Sequence, residues 1–241
     1  RRRKMANYMN FTTSNPTINL IVIDESGSME DHDEQIKRGL EKYRKKFLNY
    51  PEAGSIAVAV GCFDDYVKFG EFKAVKEMDI PDYHPYDGGT ALNYAIVKFS
   101  EYLRSYMKEV ERETKTTPIA SFIFFSDGKP CNDCYSEKKG DEAIELLNRL
   151  KVNTIFVPFG EDISEEYGRE KGFTCIEKID TGDEAEEFFA EKLSSFSIEQ
   201  SKSRIPIGEN FFSKAEGEES SSSDYSNTAK QALEDDAWWN F

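Results

Sequence analysis

The chain has 241 residues, enough for one sizeable core with extensions. Hydrophobic residues make up 38 % and charged residues 32 %, the balance of a soluble globular protein, and no apolar run is long enough to cross a bilayer. A net charge of −15 argues against nucleic acid as the main partner, because neutralising phosphates takes clustered Lys and Arg; it favours cations and basic partners instead.

The chain opens Arg1-Arg2-Arg3-Lys4, but no apolar stretch follows before Thr17. A secretory signal needs such a stretch, so the expected location is cytoplasmic, with Met5 a candidate natural start. Residues 1–16 read as an N-terminal extension. The run 18–24 is almost wholly apolar and ends in a carboxylate, as a strand buried on both faces does. Ile36, Leu40, Tyr43, Phe47 and Leu48 then recur at helical spacing. A second apolar strand spans 55–63, and 66–72 alternates like an edge strand, with Asp64-Asp65 as the turn of a hairpin.

Leu92, Ile96, Phe99, Leu103, Tyr106 and Val110 mark a long amphipathic helix. The strand 119–125 runs straight into Ser126-Asp127-Gly128. Ala143, Ile144, Leu147 and Leu150 give the next helix, 152–159 the next strand, and Ser164 caps a short helix. The run 174–179 is a last, weaker strand. Thr181 with Glu184 reads as a capping box opening a helix with Phe188, Phe189, Leu193 and Phe196 on one face. Strands alternating with helices imply an α/β fold: a doubly wound, mainly parallel sheet with one antiparallel edge strand and helices on both faces. This domain spans 17–198. Residues 199–241 are rich in Ser, Glu, Asp and Lys and read as a flexible tail. Trp238, Trp239 and Phe241 end it and resemble a docking motif, for a partner or for the chain's own domain.

Cys62 and Cys175 sit in apolar runs, and Cys131 and Cys134 form an isolated C-x-x-C. Zinc would need two more ligands, and with only His32 and His84 in the chain no second pair is evident. Reduced thiols are the expectation.

Three segments fall outside the carboxyl ends of strands, where ligands bind in such sheets: Asp24-Glu25-Ser26-Gly27-Ser28, Asp87-Gly88-Gly89-Thr90 and Asp127-Gly128. Their chemistry is all oxygen. Asp24 and Asp127 supply charge, and the hydroxyls of Ser26, Ser28 and Thr90 coordinate without adding any, which suits Mg²⁺ or Mn²⁺. Two carboxylates leave the metal a residual Lewis acidity and an open position that a partner's carboxylate can fill. Glu25, Glu30, Asp31, His32 and Asp33 crowd this rim, and a solvated acidic helix start is the favoured reading. Asp87 is either a turn residue or a group behind the ligands. Tyr83, His84, Pro85 and Tyr86 form either an aromatic rim for a partner or packing under a loop. The loop 129–134 is a candidate partner-facing segment.

Asp-x-Ser-x-Ser, a later Thr after paired glycines, and Asp-Gly after an apolar strand resemble the von Willebrand factor A domain and its metal-ion-dependent adhesion site (MIDAS). The resemblance covers roughly residues 17–197 and implies a Rossmann-like fold. It also implies a metal held by Asp24, Ser26, Ser28, Thr90 and Asp127, with a partner's acidic residue completing its shell. It further implies a non-enzymatic adaptor of the kind found beside AAA+ ATPases, tellurium-resistance clusters or kinase–phosphatase sets, and a final helix whose position is coupled to the metal site. The alternatives are a metal-dependent hydrolase or phosphatase, for which no G-x-S-x-G elbow, Gly-rich phosphate loop or Asp-x-Asp pair is present, and a structural scaffold.

Overall fold

The structure, a computed structural model, describes residues 16–203 except 86, 87, 129, 132 and 162, together with Phe211. Residues 1–15 of the expected extension, Tyr86, Asp87 and, beyond Ser203, all of the expected tail except Phe211, with Trp238, Trp239 and Phe241, lie outside the described residues; residues 199–202, which the sequence placed at the start of the tail, continue the last helix.

The apolar runs become a sheet in the order β3-β2-β1-β5-β6-β7. Its spine is β1 (Thr17–Asp24), flanked by β2 (Ile56–Phe63) and β5 (Ile119–Ser126), both parallel to it. Every residue of β1 and β2 is buried, which is why both read as continuous apolar runs and not as alternating ones. Two further parallel strands, β6 (Asn153–Pro158) and β7 (Cys175–Ile176), complete that side. The weak strand expected over 174–179 is thus short, with one added bridge from Phe159 to Ile179.

The antiparallel edge expected over 66–72 is present as two short pieces on β2: β3 (Val67–Lys68) and β4 (Lys73–Ala74). Aromatic stacking divides them. Between the pieces the chain leaves the sheet and lays Phe69 and Phe72 against the second helix, α2 (Leu92–Thr114). Phe69 lies 4.9 Å from Phe99, and Phe72 stacks on Tyr106 at 4.0 Å with the rings 8° from parallel. The Tyr102 hydroxyl donates to Gly70 O at 2.8 Å.

The period of two along β1 splits the core. Ile21 and Ile23 face one layer with Ile36, Leu40 and Phe189. Ile18, Leu20 and Val22 face the other with Leu92, Phe99 and Ile144. The first layer holds α1 (Asp33–Lys46) and the last helix; the second holds α2 and α3 (Glu137–Arg149). The short α4 (Glu165–Glu170) is capped as expected, Ser164 Oγ accepting from Tyr167 N–H at 3.2 Å. Leu48, expected on the buried face of α1, lies beyond its end and is 58 % exposed.

The last helix starts at the Thr181 cap, whose Oγ1 accepts Glu184 N–H at 3.2 Å. The Glu184 carboxylate returns to Asp180 N–H, one residue before the partner a capping box uses. It runs as α5 (Gly182–Glu187), a π-helical turn (Phe188–Leu193) and α6 (Ser194–Lys202). Phe188, Phe189, Leu193 and Phe196 are all buried. Beyond them the contact turns polar: Asn19 Nδ2 donates to Ser197 Oγ at 2.9 Å, and Gln200 Nε2 to Ser121 Oγ at 2.6 Å.

Phe189, packed on Phe125, Phe188 and Gly39, is fully buried. Phe189→Ala is expected to lower unfolding free energy by about 3–5 kcal/mol, while Leu48→Ala stays within about 0.5 kcal/mol of wild type. Urea denaturation of both variants checks the contrast.

Candidate metal centre

Parallel pairing sets the site. Ile23 lies opposite Phe125, so Asp24 and Ser126 leave the same edge of the sheet on adjacent strands, and Asp127 follows directly. Asp24 is fully buried. Its Oδ1 accepts Ser26 N–H at 2.9 Å, and its Oδ2 accepts the Ser126 hydroxyl at 2.5 Å. From behind, the Tyr83 hydroxyl donates to Asp24 O at 2.6 Å.

The first loop then climbs towards solvent in a 3₁₀ turn (Gly27–His32). Ser26 Oγ and Ser28 Oγ are 3.2 Å apart, and Ser28 Oγ donates to Asp127 Oδ1 at 2.9 Å. This chain of hydroxyls links the ends of β1 and β5. Thr90 comes from the segment before α2. Ala91 N–H donates to Asp64 O at 3.0 Å, just past the end of β2, and Gly88 passes so close to Asp64 that a Cβ there would sit 3.0 Å from the Asp64 Cβ. Gly128 has a sharper role: a Cβ on it would lie 2.9 Å from Thr90 Oγ1. All five expected residues therefore converge on one rim. Asp24, Ser26 and Thr90 are buried, Asp127 is half-buried and Ser28 is exposed, so the group is closed below and open above.

Burial penalises the charged form of Asp24 and pushes its carboxyl up to about 7; the hydrogen bonds from Ser126 and Ser26 oppose this, and the neighbouring Asp127 charge adds to it. A divalent cation at this rim would remove that penalty by favouring both carboxylates. The donor set fits one: two carboxylates and three hydroxyls, hard oxygen throughout. Among the described residues no three of His, Cys, Asp and Glu gather as an alternative metal cluster.

The acidic crowd around the rim divides. Glu30 and Asp31 are exposed, and Asp33 pairs with Lys37 at 3.2 Å, as a solvated helix start should. Glu25 departs from that expectation. Its side chain is 2 % exposed, and it holds Lys68 at 2.6 Å and His84 N–H at 2.9 Å. It ties β3 and the 83–85 segment to the loop after β1. His32 is turned away, edge-on to Phe159 at 4.5 Å. His84, just before the Asp87-Gly88-Gly89-Thr90 segment, reaches the rim by its backbone, while its ring pairs with Asp82 at 2.9 Å. Tyr83 is fully buried, the packing alternative of the two readings.

Sequence reasoning did not single out Ser126 or Asp133, and it named Tyr83 only as part of an aromatic group, not as a donor to Asp24 O. Ser126 had a usable signal, since it immediately precedes Asp127 and the two apolar strands end in step. Asp133 had none. It lies on the loop after Asp127 yet accepts Asn93 N–H and Tyr94 N–H (3.1 Å), capping α2 from 40 residues away.

No protein-family profile matches the chain, and no curated protein does. Among solved structures it is similar to a von Willebrand factor type A protein from Catenulispora acidiphila, with 18 % identity and a TM-score of 0.58 over 76 % of this chain and 43 % of that one. It is similar to proximal thread matrix protein 1 from the mussel byssus with a zinc-occupied MIDAS motif, with 16 % identity and a TM-score of 0.55 over 76 % and 48 %. It is also similar to the manganese-loaded TRAP protein of Plasmodium vivax, with 15 % identity and a TM-score of 0.52 over 73 % and 74 %. The fold is therefore that of a von Willebrand factor A domain. The chain spans less than half the length of the first two of these proteins. Among the described residues no helix is long and apolar enough to cross a membrane.

The Asp24 shift fixes a pH dependence. Its folded value, about 7, lies above the unfolded one, so the folded state binds the extra proton. Without metal, this group's contribution to stability therefore falls as pH rises from about 4 to about 7, by a few kcal/mol in total. Urea titrations in chelator should show Asp24→Asn losing less stability than wild type across that window.

Proposed function

We propose that this protein is a divalent-cation-dependent interaction module in which Mg²⁺ or Mn²⁺, held at Asp24, Ser26, Ser28, Thr90 and Asp127, accepts an acidic residue from a protein partner. The observation that carries the reading is the hydroxyl chain from Ser26 through Ser28 to Asp127, set above a buried Asp24 carboxylate. Three loops bring oxygen donors to one point. The rim is open on the side of Ser28 and Asp127, where a partner's carboxylate has room to enter.

The residues divide the work. Asp24 and Asp127 would carry the charge that holds the cation, directly or through water. Ser26, Ser28 and Thr90 would fill neutral positions, and their neutrality keeps the bound ion electrophilic. Ser126 and Tyr83 hold Asp24 in place. The likeness to proteins described as zinc-occupied and manganese-loaded supports the reading. An adaptor role suits a site with a ligand-accepting metal and no identified nucleophile. The tryptophan-ended tail would supply a second contact with the partner.

Isothermal titration of the chelated protein with Mn²⁺ is expected to show one site, and Asp127→Ala to weaken it by about 10–100-fold. A folded wild-type protein that takes up no cation contradicts the proposal. Turnover of generic phosphate esters with Mg²⁺, abolished in Asp127→Ala, would replace it with a hydrolase.

A further inference from the structure

The loop after Asp127 does more than border the rim. Cys131 Sγ accepts Thr90 N–H at 3.1 Å, and Cys131 N–H donates to Thr90 O at 3.0 Å. One cysteine thus grips both main-chain polar groups of a residue whose hydroxyl belongs to the site. Two residues on, the Asp133 carboxylate takes the N–H groups of Asn93 and Tyr94, and Tyr135 N–H at 3.0 Å. The start of α2, and Thr90 with it, is therefore clamped by Cys131 and Asp133. A second thiol, Cys134, follows Asp133 directly, and both thiols are exposed. Two intervening residues is the spacing at which neighbouring thiols readily close a disulfide.

We propose that Cys131 and Cys134 form a reversible disulfide whose formation releases Thr90 and weakens the cation site. The proposal rests on the reading of Thr90 as a cation ligand. Drawing the Cys131 sulfur into a bond with Cys134 takes it away from Thr90 N–H, and the loop that carries Asp133 must reshape with it. The oxidant is a low-molecular-weight disulfide such as oxidised glutathione. One cysteine thiolate attacks it, and one glutathione leaves as a thiol. The second cysteine thiolate attacks the mixed disulfide, and the other glutathione leaves. Two electrons pass from the two cysteine sulfurs to the glutathione disulfide, and the two cysteine protons end on the two released thiols. A dithiol reductant reverses the exchange. Cys62, buried in β2, and Cys175, buried in β7, are shielded from this chemistry.

The full chain is treated with oxidised glutathione or kept reduced, and each sample is examined by peptide mass spectrometry, by amide exchange at Thr90 and by Mn²⁺ titration. Oxidation is expected to remove two hydrogen atoms from the peptide holding Cys131 and Cys134 and to speed Thr90 amide exchange about tenfold or more. It should also lower Mn²⁺ affinity about tenfold, the size of effect seen when groups behind a metal's ligands are lost. Dithiothreitol should reverse all three changes, and the double variant Cys131→Ser/Cys134→Ser should show no change in Mn²⁺ affinity on the same treatment. Unchanged Mn²⁺ affinity in fully oxidised protein overturns the proposal, and so does a stable glutathione adduct in place of the internal bond. Reduced protein that binds no Mn²⁺ overturns the cation reading itself and takes the coupling with it.

Discussion

A carboxylate buried at the end of the central strand is the constraint on which the rest of the site depends. Asp24 sits where β1 leaves the sheet, out of water, with Ser126, Ser26 and Tyr83 as its immediate hydrogen-bonding company. Those bonds position the group but do not neutralise it, and its carboxyl is pushed up to about 7. Burial there can be met by a proton or by a bound cation, and the neighbours that converge on it, a further carboxylate and three hydroxyls, are oxygen donors of the kind a hard cation takes.

The surrounding loops are organised around that demand. Glu25, the next residue, is held by Lys68 and the His84 amide and is not among the oxygen donors that converge at the rim. Thr90 is held from two sides, by Asp64 through Ala91 and by Cys131 through its own backbone, and Gly128 leaves room for its hydroxyl. Thr90 therefore depends on a loop that carries two exposed thiols. On the proposed redox coupling, thiol state and cation binding are linked through that backbone contact.

Much of this was legible in the sequence. Apolar runs of β1, β2 and β5 announced strands buried on both faces, and parallel pairing placed their ends, with Asp24 and Asp127, on one edge. Thr181 and Ser164 marked helix starts where caps are found. What stayed hidden depends on tertiary contact. Alternation over 66–72 cannot reveal that Phe69 and Phe72 stack on α2 between two short pieces paired to β2. Glu25 looks like any acidic residue until Lys68 is seen to cover it. Asp133 caps a helix that begins far earlier in the chain, and local capping rules look only a few residues away. Leu48 obeys the helical spacing, but α1 ends at Lys46 and turns it outward.

Proton release reads most directly the proposed link between Asp24 and a cation. Calorimetric titration with Mn²⁺ in two buffers of different ionisation enthalpy counts the protons displaced per ion bound. About one proton is expected to be released near pH 6, where the metal-free Asp24 holds it, falling towards zero at pH 9, where it is already ionised. Binding with no proton release at pH 6, or no binding at either pH, would contradict that link.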